Sequence, residues 1–207
     1  MTWGDLRPTV FHESGYIVVL LVGLSLCGPV AHAAETAIPL NEALVNGDFA
    51  KPLSIGWASQ ANDIIGEHSI TATQGDGAVV VKEMCGNATL VQDVKLATTN
   101  LVFSTRARFT RQVTNPTYYA TASVLLGFLD SDGKLLGETR ICSAAGRPAW
   151  KASNTLHLVA VADTGKWPDY SLNLGEELGT NLKGVDAAKV KRLRISLESF
   201  CSGEDAC

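Results

Sequence analysis

The sequence predicts an all-β protein, an antiparallel sandwich or barrel. Three observations carry that expectation. Past residue 44 the apolar residues recur with a period of two, not the 3.6 of a helix. Turn-forming residues separate the runs, and only two short segments have a helical pattern.

The chain opens on an address. Tyr16 to Leu26 is an uncharged apolar run, followed by Cys27-Gly28-Pro29 and the small-x-small site Ala31-His32-Ala33. The run is shorter than the roughly 20 apolar residues that span a bilayer, and its layout is that of a secretory signal peptide. Its first residues depart from the usual basic pattern, setting Arg7 against Asp5 and Glu13. Residues 1–33 are expected to be this leader, 34–43 an N-terminal tail and 44–207 one domain of a secreted, periplasmic or extracellular protein. The mature chain then has no transmembrane span. Retention as a membrane anchor is the alternative reading.

The strands follow in order. Ala78–Met84 and Thr89–Leu96 are short candidates. Leu101–Gln112 alternates, with Leu101, Phe103, Thr105, Ala107 and Phe109 on one face and Ser104, Arg106, Arg108, Thr110 and Gln112 on the other. Ser123–Cys142 is a hairpin turning at Asp130-Ser131-Asp132-Gly133, where Asp opens the turn and Gly supplies a positive φ. Its first arm is apolar on both faces, which suits a central strand. Leu156–Ala162 and Tyr170–Leu174 are shorter. The helical segments are Glu176–Leu182 and a turn at Asp186–Lys189 capped by its aspartate. Lys191–Phe200 is the clearest strand, with Leu193, Ile195 and Leu197 opposite Arg192, Arg194, Ser196 and Glu198.

At 18% charged and 46% hydrophobic residues the chain has a globular composition. Without the leader it carries 16 basic and 19 acidic residues, which excludes the basic excess of a nucleic-acid partner. Four cysteines remain, Cys85, Cys142, Cys201 and Cys207. An even count in an exported chain predicts two disulfides, with three possible connectivities. The turn-prone loop between them favours Cys201–Cys207, and Cys85–Cys142 follows by elimination. The short and long loops would contribute about 2 and about 4 kcal/mol on the chain-entropy model. Zinc is disfavoured: C-x-x-C and H-x-x-x-H spacings are absent, and the mature chain has only His68 and His157.

Enzyme signatures are mostly missing. The chain has no G-x-S-x-G, H-E-x-x-H or phosphate-cradling glycine loop. Asp130-Ser131-Asp132-Gly133 opens like a calcium loop, but Ile141 stands where its closing glutamate belongs. Glu83, Asp93, Glu138 and Glu198 could furnish a glycosidase pair only as any four acids could.

The order of several motifs resembles galactose-binding-like sandwiches, and most closely the carbohydrate-binding modules of the family 4 and 9 type. The motifs are Leu44-Val45-Asn46-Gly47-Asp48-Phe49 with Gly56-Trp57, then Leu90-Val91-Gln92-Asp93-Val94, the Val124–Gly137 hairpin, Trp167-Pro168-Asp169-Tyr170-Ser171 and Arg194-Ile195-Ser196-Leu197. They span residues 44–200. The resemblance implies an antiparallel β-sandwich of jelly-roll type, carbohydrate binding and a structural calcium, for which Asp48 is the one ligand candidate against a plain turn-forming role. The family's closing strand is not found up to Cys207, so it is either missing or the sequence is a fragment, and Ser143–Ala152 is an insertion.

Sugar recognition needs aromatic platforms and planar polar groups. Trp57 and Trp167 fall where the resemblance places core residues. Trp150, in the insertion, and Tyr118-Tyr119, on a loop, are the binding candidates. Arg106, Arg108, Arg140, Arg192 and Arg194 all occupy polar-facing strand positions with Glu138 and Glu198. If those strands share one sheet, they line its outer surface, and the guanidinium excess points to anionic or uronate sugars. A solvated face laced with ion pairs is the plainer reading. The expected function is therefore a non-catalytic glycan-binding domain. The alternative is a structural or protein-binding β-sandwich of the cell envelope.

Overall fold

The computed structural model describes residues 17–20, 38–39, 43–73, 77–146, 150–162 and 165–204. It is predominantly β, in two six-stranded sheets whose pairings are mostly antiparallel. The strands are β1 (Ile17–Leu20), β2 (Ile38–Pro39), β3 (Ala58–Asp63), β4 (His68–Thr73), β5 (Gly77–Lys82) and β6 (Gly86–Lys95). They continue as β7 (Leu101–Phe109), β8 (Ala120–Leu129), β9 (Leu135–Ala145), β10 (Leu156–Ala160), β11 (Asp169–Asn173) and β12 (Arg192–Cys201). One helix, α1 (Leu174–Thr180), follows β11, and a 3-10 turn at Ala187–Lys189 precedes β12.

The first sheet runs β11-β7-β1-β5-β4, with β2 also on β7; the second runs β10-β9-β8-β12-β6-β3. From Leu101 onward the expected elements are present within a few residues of their predicted bounds. The reason is visible in the burial: β7 and β12 each keep one apolar row inside, and β8 is buried along its whole length. A single buried cluster draws on both sheets, with Ala78, Val80, Phe103, Ala107 and Phe109 from the first and Leu90, Val124, Leu126, Phe128, Leu193, Ile195 and Leu197 from the second.

β3 and β4 were not expected. β3, ASQAND, is exposed at every residue and rich in types depleted from strands. Its backbone pairing with β6 at the sheet edge holds it, a contact that no side-chain periodicity announces. β1 lies inside the expected leader, whose remaining residues fall outside the described set, as do residues 34–37 and 40–42 of the tail.

The Asn-Gly-Asp-Phe segment folds back on β6. Gln92 reads the Val45 backbone twice, accepting from its N–H and donating to its carbonyl, each at 2.8 Å. Asn46 and Phe49 adopt positive φ values of 55° and 53°. That turn stacks Phe49 on Trp57, ring centroids 5.2 Å apart, and the Trp57 indole N–H donates to the Asn46 carbonyl at 3.0 Å. Trp57 is thereby a core residue, as expected, and its backbone leads directly into β3.

At the other end of the same strands lies a buried ammonium. The Lys82 side chain is 0% exposed. Its Nζ donates to the carbonyls of Ile65 at 2.8 Å, Glu67 at 3.3 Å and Glu83, and stands 3.3 Å from Asp63 Oδ1. All three N–H donors of an ammonium are thus accounted for, and the charge has a partner. The Lys82 backbone also crosses between the sheets, donating from its N–H to Ser199 Oγ at 3.2 Å and accepting from Cys201 Sγ at 3.3 Å. Replacing Lys82 by Met should strand those acceptors in a dry site and cost roughly 3–5 kcal/mol. The check is a lowered urea midpoint at unchanged m-value; an unchanged midpoint would refute the role given to the ammonium.

Candidate functional site

The outer face of the second sheet gathers the polar positions of β6, β8, β9 and β12. Register decides which of them meet. Arg194 lies opposite Asp93 on one side and Gly127 on the other. Ser196 follows, opposite Val91 and Leu125, and then Glu198, opposite Thr89 and Ser123. Arg140 lies across from Leu125 on the far side of β8.

Two charged groups result. In the first, Arg194 grips Asp93 with two parallel bonds, Nε to Oδ1 at 2.7 Å and Nη2 to Oδ2 at 2.9 Å. Arg192 Nη2 adds a third bond to the same carboxylate at 3.1 Å. The Arg194 bond holds the Asp93 carboxyl below the usual carboxylate range despite partial burial, and Arg192 adds to it; Arg194 is in turn raised by Asp93. In the second, Arg140 donates to Glu138 at 2.8 Å and to Glu198 at 2.7 Å, and Ser123 donates to Glu198 at 3.3 Å. Burial works against the charge on Arg140, but Glu198 and Glu138 outweigh it and keep its pKa raised. Trp150 covers this group, its ring 4.5 Å from the Arg140 guanidinium, which is a cation–π distance.

Beside the first group an open cleft of roughly 470 Å³ runs between β3, β6 and β12. Trp57, Gln60, Thr89, Asp93, Arg194 and Ser196 are among its walls. The Asn46 turn sets one edge: Gly56 sits at φ +90°, and a Cβ there would lie 2.6 Å from the Val45 carbonyl. The cleft thus joins a planar ion pair, an amide and two hydroxyls over a strand surface.

The five predicted arginines do not share one face. Arg140, Arg192 and Arg194 do, but Arg106 and Arg108 are on β7, in the first sheet. Arg106 pairs with Asp169 at 3.1 Å and Arg108 lies 5.3 Å from the Trp167 ring. Similar alternation put them in one row in the sequence; strand order separates them in space. Tyr119 stacks on Phe200 with centroids 5.4 Å apart, and Tyr118 packs against Ala120 and Cys201. Both tyrosines are half-buried supports at the end of the second sheet. Asp48 Oδ1 accepts from the Ala50 N–H at 3.1 Å, an exposed turn bond, and no group of three potential metal ligands converges among the described residues. Asp130 likewise caps its own hairpin, accepting from Asp132 and Lys134.

The Cys85–Cys142 pairing is not formed: both are free thiols. Cys85 adjoins Gly86 on β6, and the row Gly86, Cys201, Ala120, Ala145 crosses three strand spacings before reaching β9. That is about 14 Å, twice the reach of a disulfide. Cys207 lies outside the described residues, and with it the Cys201–Cys207 pairing.

The periodicity gave no sign of Gln60, on unpatterned β3, or of the link at the opposite end of the sheet. There Glu177 on α1 is buried and accepts from Thr139 Oγ1 at 2.6 Å and Asn181 Nδ2 at 2.8 Å, and bonds His157 Nδ1. This network fastens α1 to β9 and β10.

No family model matches the chain, and no curated protein matches it. The likeness to carbohydrate-binding modules therefore rests on motif order alone. Among solved structures, the enzymatically active domain of tailspike protein 4 of bacteriophage CBA120 is similar at a TM-score of 0.38 and 13% identity. The match covers 76% of this chain and 19% of that one, so the chain spans about a fifth of its length. Among the described residues no helix is long and apolar enough to cross a membrane.

Two outcomes are expected. Alkylation under denaturing, non-reducing conditions should label both Cys85 and Cys142, whereas in the native protein burial, which also raises its pKa, shields Cys142. A mass shift showing them joined would overturn the description. Because folding depresses the Asp93 pKa, its contribution is present above the unfolded value near 4 and lost as pH falls through the lower folded value. Urea midpoints between about pH 5 and 2 should therefore fall less steeply in Asp93→Asn than in the parent.

Proposed function

We propose that the protein is an exported, non-catalytic glycan-binding domain, a β-sandwich of jelly-roll type that binds a sugar chain in the cleft beside β12. The observation that carries this reading is the composition of the cleft. Asp93 and Arg194 offer an acceptor and a donor side by side, and Gln60, Thr89 and Ser196 stand around them. A pyranose presents adjacent hydroxyls that each donate and accept, and a fixed carboxylate–guanidinium pair is complementary to such a diol. A neighbouring run of paired polar groups, Arg140 with Glu138 and Glu198 under Trp150, extends the same face. The absence of catalysis is inferred from the carboxylates: Asp93, Glu138 and Glu198 are each bonded to arginine, so their oxygens are engaged in ion pairs and not presented as an acid and a nucleophile across a glycosidic bond. The order of sequence motifs supports the same class. Secretion, periplasmic or extracellular, is part of the proposal and rests on the leader-like N-terminus.

A second reading is favoured by one observation. Ile64, Ile65 and Met84 are 63%, 38% and 42% exposed. They are neighbours, since the Ile65 N–H donates to the Cys85 carbonyl and Met84 flanks Gly66. An apolar tip of this kind suits a protein partner.

Titration of the full chain against an oligosaccharide panel separates the two. Glycan binding should weaken at least about tenfold in Arg194→Ala, the size of one lost charge-assisted bond, and by several-fold in Gln60→Ala, which loses a neutral one. Arg106→Ala, on the other sheet, should bind like the parent. Equal binding by all three variants would remove the cleft from the reading, and no binding to any sugar would favour the protein-partner reading.

A further inference from the structure

We infer that Asp93 is the specificity-determining residue of the cleft, closing it to acidic sugars by claiming both nearby guanidinium groups; this rests on the glycan reading above. The expectation from sequence was the reverse, because it counted arginines as free charge. The geometry shows where that charge goes. Arg194 spends Nε and Nη2 on the two oxygens of Asp93, and Arg192 spends Nη2 on one of the same oxygens. On the outer face Arg140, Arg192 and Arg194 each bond a carboxylate among Asp93, Glu138 and Glu198, and Lys95, opposite Arg192 at the end of β6, is a further cation of that row.

A uronate, sulfate or phosphate entering the cleft would have to displace Asp93 from the bidentate position that its own carboxylate would take. It would also face the Asp93 charge within the same wall. Two like charges at hydrogen-bonding distance repel strongly where the site is partly dry. A neutral sugar meets no such penalty: one hydroxyl can donate to a remaining lone pair of Asp93, and its neighbour can accept from the guanidinium edge, with the ion pair intact. Discrimination comes from the repulsive element, as specificity often does.

Asp93 is therefore a charge lock that acts through Arg192 and Arg194, and its removal has a signed consequence. Asp93→Asn leaves a side chain of similar shape but frees two guanidinium groups, turning the same cleft cationic. The experiment compares neutral gluco- and xylo-oligosaccharides with oligogalacturonate and oligoglucuronate of matched length, by calorimetry on the full chain. The parent should bind its best neutral ligand at least about tenfold more tightly than any uronate. In Asp93→Asn that ratio should fall by at least about a hundredfold, from loss of neutral binding and gain of uronate binding, and the gain should decline with added salt. Asp93→Glu should restore the parent's ordering, which a merely structural loss would not predict. A parent that prefers uronates, or an Asp93→Asn ratio like the parent's, overturns the inference and leaves the glycan reading standing. Failure of the parent to bind any oligosaccharide overturns both. Should Asp93→Asn not fold, the parent's ratio still decides, and Arg194→Gln gives a second measure: weaker neutral binding with no uronate gain.

Discussion

The two sheets are held in register at one end by a cation with no access to water. An ammonium in a dry interior is tolerated only when its donors and its charge are both answered. Lys82 meets that condition with the carbonyls of Ile65, Glu67 and Glu83 and with Asp63. The condition propagates. Asp63 ends β3 and is held ionised by the His68 ring that begins β4, with Lys82 adding to the effect. Gly86 has to be glycine, because at φ +133° a Cβ would lie 1.9 Å from the Asn62 carbonyl and 2.8 Å from Lys82 Cε. One charge thus fixes the ends of β3, β4, β5 and β6, and through Ser199 and Cys201 the end of β12.

The candidate site depends on that arrangement at one remove. β12 lies between β6 and β8 over its whole length, so the phase of its side chains is shared by both neighbours. Apolar residues turned inward oblige Arg192, Arg194, Ser196 and Glu198 to face outward together. The ladder to β6 then delivers Asp93 to Arg194 with no freedom left over, which is why the pair is bidentate. β3, pinned by its last residue to the Lys82 cage, supplies Gln60 and closes the cleft along its edge.

Much of this was legible in the sequence, and for definite reasons. Strands with one buried row, such as β7 and β12, announce themselves by alternation, and β8 announces its two-sided burial by being apolar throughout. The outward set on β12 was readable for the same cause. What alternation does not contain is the partner of each strand. Arg106 and Arg194 have equivalent local patterns and end on different sheets; Cys85 and Cys142 paired by elimination on paper and lie three strands apart. β3 was invisible because its stability is in the backbone ladder, and Lys82 because a lysine at a strand end looks solvated until three loop carbonyls turn toward it. The sequence showed a surplus of arginine on polar faces; only register showed that Arg140, Arg192 and Arg194 each meet a carboxylate on the same sheet.

The lane between β5 and β7 has a further consequence. β5 and β7 are both antiparallel to β1 and so point the same way. β11 occupies one edge of β7 at Val102, so β2, bonded at Leu101 and Val102, lies on the edge that β1 uses farther along. The first sheet is therefore completed by the earliest part of the chain. While the leader-like segment is retained, Ile17–Leu20 lies between Val80 and Phe109, which are synthesised long after it; cleavage on export would remove β1 and vacate that lane. Closure of this sheet is a contact of high sequence separation, which pays its chain entropy late. The second sheet gathers the neighbouring strands β8, β9 and β10 early, but it too waits for its last strand, because β12 pairs with β6 from Lys95↔Arg192 to Gly86↔Cys201.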